Sequence, residues 1–406
     1  MTWRQVRLGD LVAFTSGGTP SKSRADFWGG EVPWVTTKDL KVTRLYETGD
    51  TLTELGAENG TRRAAANTIM LSVRGMALAN TLPISLVKVP STFNQDVKAL
   101  KVFGELDTEF LFYWFLANEY EILGLADEAG HGTKRIQTDR LLNYSLRLPP
   151  TPTQRKIAAI LSAYDDLIEN NTRRVRVLEE MARALYREWF VEFRFPGHET
   201  AEFVEDEQGR RPKGWEWGRL DDCLILQRGF DLPTKQRVDG PYPIFASTGV
   251  NGHHNEKKVS GPGVVTGRSG SLGTVMLVLE DFWPLNTTLW VKEFKHVQPV
   301  YAYYLLSSLD LAQYNAGAAV PTLNRNDIHG LKVILPPQAL LETFERHALT
   351  IHEQVVALHK RNNNLRRTRD LLLPRLVSGE LDVSALNVRG PGLETEEEQA
   401  REEAVA

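Results

Sequence analysis

The segment AGHGTKRIQTDRLLNYSLRLPP, residues 129–150, lines up without a gap on AGAAVPTLNRNDIHGLKVILPP, residues 316–337, at an offset of 187. The same offset continues downstream, placing Ile157 on Phe344, Leu178 on Leu365 and Leu185 on Leu372. Upstream the match is looser. Trp3, Arg7, Leu8, Asp10 and Gly17 fall on Trp215, Arg219, Leu220, Asp222 and Gly229 at an offset of 212, so the first copy carries extra residues. Asn94 and Asn286 also correspond, each beside a strand-like run. The chain reads as head, helix, head, helix, tail.

After each Leu-Pro-Pro comes a long stretch without glycine, whose seam residues recur at alternating spacings of four and three. In the first copy these are Ile157, Leu161, Tyr164, Ile168, Asn171, Val175, Leu178, Ala182, Leu185 and Trp189. In the second they are Phe344, Ala348, Ile351, Val355, Leu358, Asn362, Leu365, Arg369, Leu372 and Leu376. Such heptad seams predict paired helices. If a two-fold axis relates the repeats, the helices run antiparallel with one head at each end. A fragment ending near Gly197, with one head and one seam, is then expected to pair with a copy of itself. Asn171 and Asn362 lie in the seams, where a polar side chain costs stability and fixes register; tolerance at a solvated edge is the alternative.

The heads mix β-rich runs at 68–73, 263–266 and 274–279 with short helices over 109–121 and 299–309. The expected fold is α+β, with two pseudo-repeated mixed heads separated by two long antiparallel helices forming a coiled coil. The boundaries read as head 1–150, central helix 151–195, linker 196–212, head 213–337, distal helix 338–378, and C-terminal segment with acidic tail 379–406.

A chain of 406 residues is too long for one core, and 42% hydrophobic with 25% charged residues excludes a disordered or fibrous protein. No apolar run approaches the roughly 20 residues a bilayer span needs, and MTWRQVRLGD opens without an apolar stretch. A cytoplasmic protein with no membrane partner is expected. Cys223 is the single cysteine, which excludes an intrachain disulfide and a cysteine metal cluster and fits a small core residue.

Motifs that carry chemistry are absent. No glycine-rich cofactor loop follows a strand, and no Asn-Pro-Pro or Asp-Pro-Pro precedes an aromatic residue. Pro149-Pro150 and Pro336-Pro337 punctuate helix starts instead. GRSGSLG, residues 267–273, lacks the Gly-Lys-Ser/Thr of a phosphate cradle. His253-His254 and the spread-out His347, His352 and His359 do not form a metal-ligand constellation. No catalytic residue, cofactor or metal is assigned.

WRQVRLGDLVAFTSGGTP (residues 3–20) and PKGWEWGRLDD (residues 212–222) resemble the openings of the two halves of type I restriction-modification specificity subunits. REWFVEFRFPG (Arg187 to Gly197) and LLLPRLVSGELDV (Leu371 to Val383) resemble the ends of that family's central and distal helices. The resemblance spans nearly the whole chain. It implies two target recognition domains, each reading one half of a split, asymmetric sequence in double-stranded DNA. It also implies paired helices that dock two adenine methyltransferase (M) subunits and, for restriction, two motor-nuclease (R) subunits. The chain itself would then perform no catalysis.

Lys plus Arg number 48 against 52 Asp plus Glu, a net charge of −4. Residues 383–406 hold two Arg and six Glu and account for all of it, so the remainder is neutral and leaves room for basic patches. A neutral chain binds DNA weakly, so a partner is expected to add phosphate contacts. The family pattern does not explain the acidic run ETEEEQAREEAVA, which reads as a solvating tail.

Base edges are read by side chains such as Arg, Lys, Asn and Gln, while other basic and hydroxyl groups hold phosphates. Arg74 and Arg268 each follow a β-like run and precede a turn with glycine; a surface salt bridge is the competing reading. Before each Leu-Pro-Pro lie Thr133, Lys134, Arg135 and Gln137 in the first copy and Thr322, Asn324 and Arg325 in the second, with strand-edge hydrogen bonding as the alternative. The runner-up function is a scaffold that does not bind DNA, with two β-rich heads on a coiled coil. A self-contained methyltransferase or nuclease is the third, opposed by the missing motifs.

Overall fold

The proline pairs that close each repeat decide where the long helices begin. The Pro150 carbonyl accepts from the amides of Thr153 and Gln154 at 2.9 and 3.0 Å, so the helix Thr151–Tyr186 starts with donors satisfied. Gln154 is fully buried. It donates to the carbonyls of Glu105 and Pro149 and accepts from the Asp107 amide, which pins the helix start to the head before it. The distal helix, Gln338–Ser378, continues through Pro374.

This computed structural model describes residues 3–130, 132–207 and 209–388; the acidic run at 394–406 lies outside them. It divides into two units, Met1–Asn170 with Asn362–Ala406, and Asn171–Arg361. Each unit thus combines one head with part of both long helices.

In the first unit a sheet orders Val12–Ser16, Val97–Val102, Thr68–Ser72, Ile84–Val87 and Arg44–Leu45. In the second, Leu224–Arg228, Thr288–Phe294, Gly263–Gly267 and Val275–Val278 follow the same order. The repeat visible in sequence closes each head in the same way: Arg4–Arg7 pairs antiparallel with Ser145–Leu148, and Glu216–Arg219 with Lys332–Leu335. The expected short helices run Thr108–Ala117 with Glu119–Leu123, and Pro299–Ser308. The stretch read as a linker contains an antiparallel hairpin, Phe203–Asp206 with Gly209–Pro212. Its strands, FVED and GRRP, carry no apolar alternation. They are held instead by the Arg211–Asp206 ion pair and by Arg210 lying 4.3 Å over the Phe203 ring.

The core of the first unit packs Phe110, Phe112, Tyr113, Trp114 and Phe115 against Ile69, Leu71, Ile157, Leu161, Leu373 and Leu376. That of the second joins Tyr186, Trp189 and Phe190 of the central helix to Trp215, Tyr301 and Phe344. Phe190 meets Phe344 edge to face at 5.0 Å, a geometry worth about 1 kcal/mol beyond area burial.

Most seam residues are buried or half-buried as the heptads require. One position moves: Asp165, not Tyr164, takes the buried place, at 3% exposure. Its carboxylate accepts from the Tyr113 hydroxyl at 2.7 Å and pairs with Arg369. Asn171 and Asn362 are each 3% exposed, so neither sits at a solvated edge. Asn362 donates to the Ile168 carbonyl at 3.2 Å.

His352 Nε2 lies 2.9 Å from the Tyr304 hydroxyl, and burial pushes its pKa down to about 4. His329 is lowered too, mainly by burial. Burial raises Glu345 against the opposing hydrogen bonds from the Val300 and Tyr301 amides. A histidine with a depressed folded pKa is protonated first in the unfolded chain. Its share of stability is intact above about pH 6.5 and is lost as pH falls toward 4. His352→Gln should therefore lose less stability than the parent chain between pH 7 and 4.5, by about 1–3 kcal/mol. The comparison of melting curves cancels His329 and Glu345, which are common to both proteins.

Candidate nucleic-acid interface

Short strands carry the candidates of the first unit. Ala126–Glu128, Lys134–Ile136 and Arg74–Gly75 form an antiparallel three-stranded sheet with Lys134–Ile136 at its centre. The strands are anchored from beneath, since Ile136 and Val73 are buried and the Ile136 amide donates to the Val73 carbonyl at 2.9 Å. Register places Arg135 opposite Arg74 on one side and Asp127 on the other. Residues paired across neighbouring strands share a face, so these three form one row.

Asp127 is already engaged, accepting from Arg140 at 2.7 Å and Gln137 at 2.8 Å. Arg74 and Arg135 are exposed, and neither has an ion-pair partner among the described residues. The salt-bridge alternative for Arg74 therefore has no support there. Lys98 lies close by: its pKa is lowered by burial first and by the Arg135 charge second, and its ammonium donates to the Ser16 hydroxyl. Lys134 is half-buried opposite Gly75. Thr133 turns its hydroxyl to the Gly130 carbonyl at 2.6 Å, within the turn that joins the two strands. The sheet thus gathers Arg74, Thr133, Lys134, Arg135 and Gln137 from two distant segments.

The second unit builds the same corner with other side chains. Ser269 bridges Thr322, and the Leu323 amide donates to the Arg268 carbonyl at 2.8 Å. Leu323 matches Ile136 in the sequence repeat, so Arg268 occupies the place of Val73, and Ser269 that of Arg74. The equivalence of Arg74 and Arg268 suggested by their flanking residues is off by one. Arg268 is half-buried, and its guanidinium donates to the Asn286 carbonyl at 3.2 Å.

Thr322 donates its hydroxyl to the Val320 carbonyl at 3.0 Å. Asn324 caps the short helix Arg325–His329 by accepting from the Asn326 amide at 3.1 Å. Arg325 is exposed, with no ion-pair partner among the described residues. Gly267 cannot carry a side chain, because a Cβ there would lie 1.9 Å from the Ser271 carbonyl oxygen. The glycines of GRSGSLG therefore shape a tight turn between two strands. Asn94 is a turn former too, accepting from the amides of Asp96 and Val97.

Sequence reading misses Ser269, Lys98 and Met76. Met76 is 71% exposed beside this surface, and only long-range strand pairing brings the other two to it. Among the described residues no helix is long and apolar enough to cross a membrane.

Comparison with known proteins gives this surface its setting. The family model for the type I restriction modification DNA specificity domain matches residues 1–180 and 212–361. The type I restriction enzyme MjaIX specificity subunit of Methanocaldococcus jannaschii is 28% identical, with 95% of this chain and 94% of that protein aligned. The EcoR124I/EcoR124II specificity subunit of Escherichia coli is 31% identical over 198 residues, 48% of each chain. The crystal structure of the type I restriction-modification system S subunit from M. genitalium covers 92% of this chain and 96% of its own. Its TM-score is 0.64 at 16% identity, a likeness of fold. The duplicated family match follows the duplicated heads and helices, and the chain belongs to the type I restriction-modification DNA specificity family.

Proposed function

We propose that this subunit reads a split, asymmetric sequence in double-stranded DNA, one half with each head, and supplies the helices on which catalytic partners assemble. The observation that carries this reading is the duplicated corner. One backbone arrangement presents Arg74 and Arg135 in the first unit and Ser269 and Thr322 in the second. Equal scaffolds with unequal donors suit two different half-sites. Thr133, Lys134, Gln137, Arg268, Asn324 and Arg325 flank the same corners and complete the proposed DNA surface, and Asn171 and Asn362 are assigned to helix register. The partners are two adenine methyltransferase subunits and two restriction and translocation subunits, acting together in the cytoplasm.

Co-expression with the methyltransferase of its own system, followed by methylation-aware sequencing, tests the reading. The expected result is a two-part motif with an unspecified spacer and modified adenine on both strands, and no transfer by this chain alone. A contiguous palindromic motif, or robust transfer by the purified chain, would overturn it.

A further inference from the structure

We infer that the opposed pair Arg74 and Arg135 is the base-reading element of the first unit and that it takes guanine in the major groove. The inference rests on the proposed reading of this chain as a DNA specificity subunit. Like charges set directly opposite each other on neighbouring strands are destabilising. Here two arginines are paired in register on one face, while the carboxylate in the same row is engaged by Arg140 and Gln137. The arrangement is rigid below and open above. Val73 and Ile136 are buried, and Gly75 adopts φ +142 with no heavy atom within 4 Å of where a Cβ would stand. A surface that concentrates positive charge at a cost to its own stability is shaped for an electron-rich ligand.

Comparison of the two units separates phosphates from bases. The backbone of the corner is the same in both, with the Ile136 amide on the Val73 carbonyl and the Leu323 amide on the Arg268 carbonyl. Two arginines in one are replaced by Ser269 and Thr322 in the other. The sugar-phosphate backbone is the same at both half-sites, so a contact that only grips it has no reason to change chemistry between repeats. A contact that reads sequence must change. The guanidinium fork matches O6 and N7 of guanine, the commonest specific arginine contact. The exposed Met76 beside it offers an apolar neighbour suited to base edges.

The test is selection from a randomised duplex library by the full chain bound to its methyltransferase, at two salt concentrations, with sequencing of the bound DNA. Arg74→Ala and Arg135→Ala should each relax a guanine preference in one half-site by about 10- to 100-fold. The other half-site stays intact and reports that the protein is folded. Arg135→Lys keeps the charge and should relax the same position while leaving the salt dependence unchanged. Uniform weakening with unchanged base preference and a shallower salt dependence would make the pair a phosphate clamp and overturn the inference. So would a relaxed position that prefers a base other than guanine. Failure of the parent chain to enrich any sequence would instead sink the DNA-reading function itself.

Discussion

Arg369→Ala should lower the stability of the first unit by about 3–5 kcal/mol, read as an earlier midpoint in urea unfolding followed by tryptophan fluorescence. The Asp165 side chain is 2% exposed and that of Arg369 is 16% exposed. Among the described residues, removing the guanidinium leaves a carboxylate in the core with the Tyr113 hydroxyl as its remaining side-chain donor. Burial, first, and the Asp165 charge, second, raise the Tyr113 pKa, so that hydroxyl stays a donor at any physiological pH. Nearby Arg44 is committed to Asp166. Adding Asp165→Asn to the Arg369→Ala variant removes the stranded charge and keeps an acceptor for Tyr113, so part of the loss should return. Equal stability of Arg369→Ala and the parent chain would show that water reaches Asp165 and that the pair stabilises nothing.

The same two residues show where sequence reading works and where it stops. The heptads locate both helices because burying a stripe of Ile, Leu and Val leaves a periodic record in the chain. Asp165 leaves no such record: a buried charge is invisible to an apolar pattern, which puts the neighbouring Tyr164 in the seam instead. The hairpin at 203–212 escapes for a related reason, since its strands are held by charges and by a cation over a ring.

The candidate surface is legible in the sequence as a set but not in its register. Repeat alignment points to Arg135 and Thr322 together, because identical backbone paths need similar turn and core residues. The partner strand is only two residues long in the first unit, and its alignment is decided by residues some sixty positions away. Local sequence therefore matches Arg74 with Arg268, while the strand pairing matches it with Ser269. A one-residue shift carries a side chain to the opposite face of a strand. That is why Arg268 is half-buried on the Asn286 carbonyl while Arg74 is exposed.

A fragment ending at Gly197 should associate with itself only weakly, and Ala182→Arg should tighten that association about 1000-fold or more. In the whole chain the first unit is completed by the distal helix from Asn362 onward, which contributes Leu373, Leu376 and Val377 to its core. A fragment lacks that segment, and only residues 175–191 of a second copy can replace it. At the repeat offset of 187 the apolar seam is supplied: Leu178 stands for Leu365, Leu185 for Leu372 and Trp189 for Leu376. Arg369, however, is replaced by Ala182. Each copy would then bury Asp165 without its guanidinium, and a symmetric pair incurs that penalty twice, at several kcal/mol per site. Apolar matching alone predicts a ready dimer; the buried charge reverses the expectation. Sedimentation equilibrium of the fragment and of its Ala182→Arg variant decides between them. Tight pairing of the unaltered fragment, or no gain from the added arginine, would mean that the Asp165–Arg369 contact does not govern how the two helices choose each other.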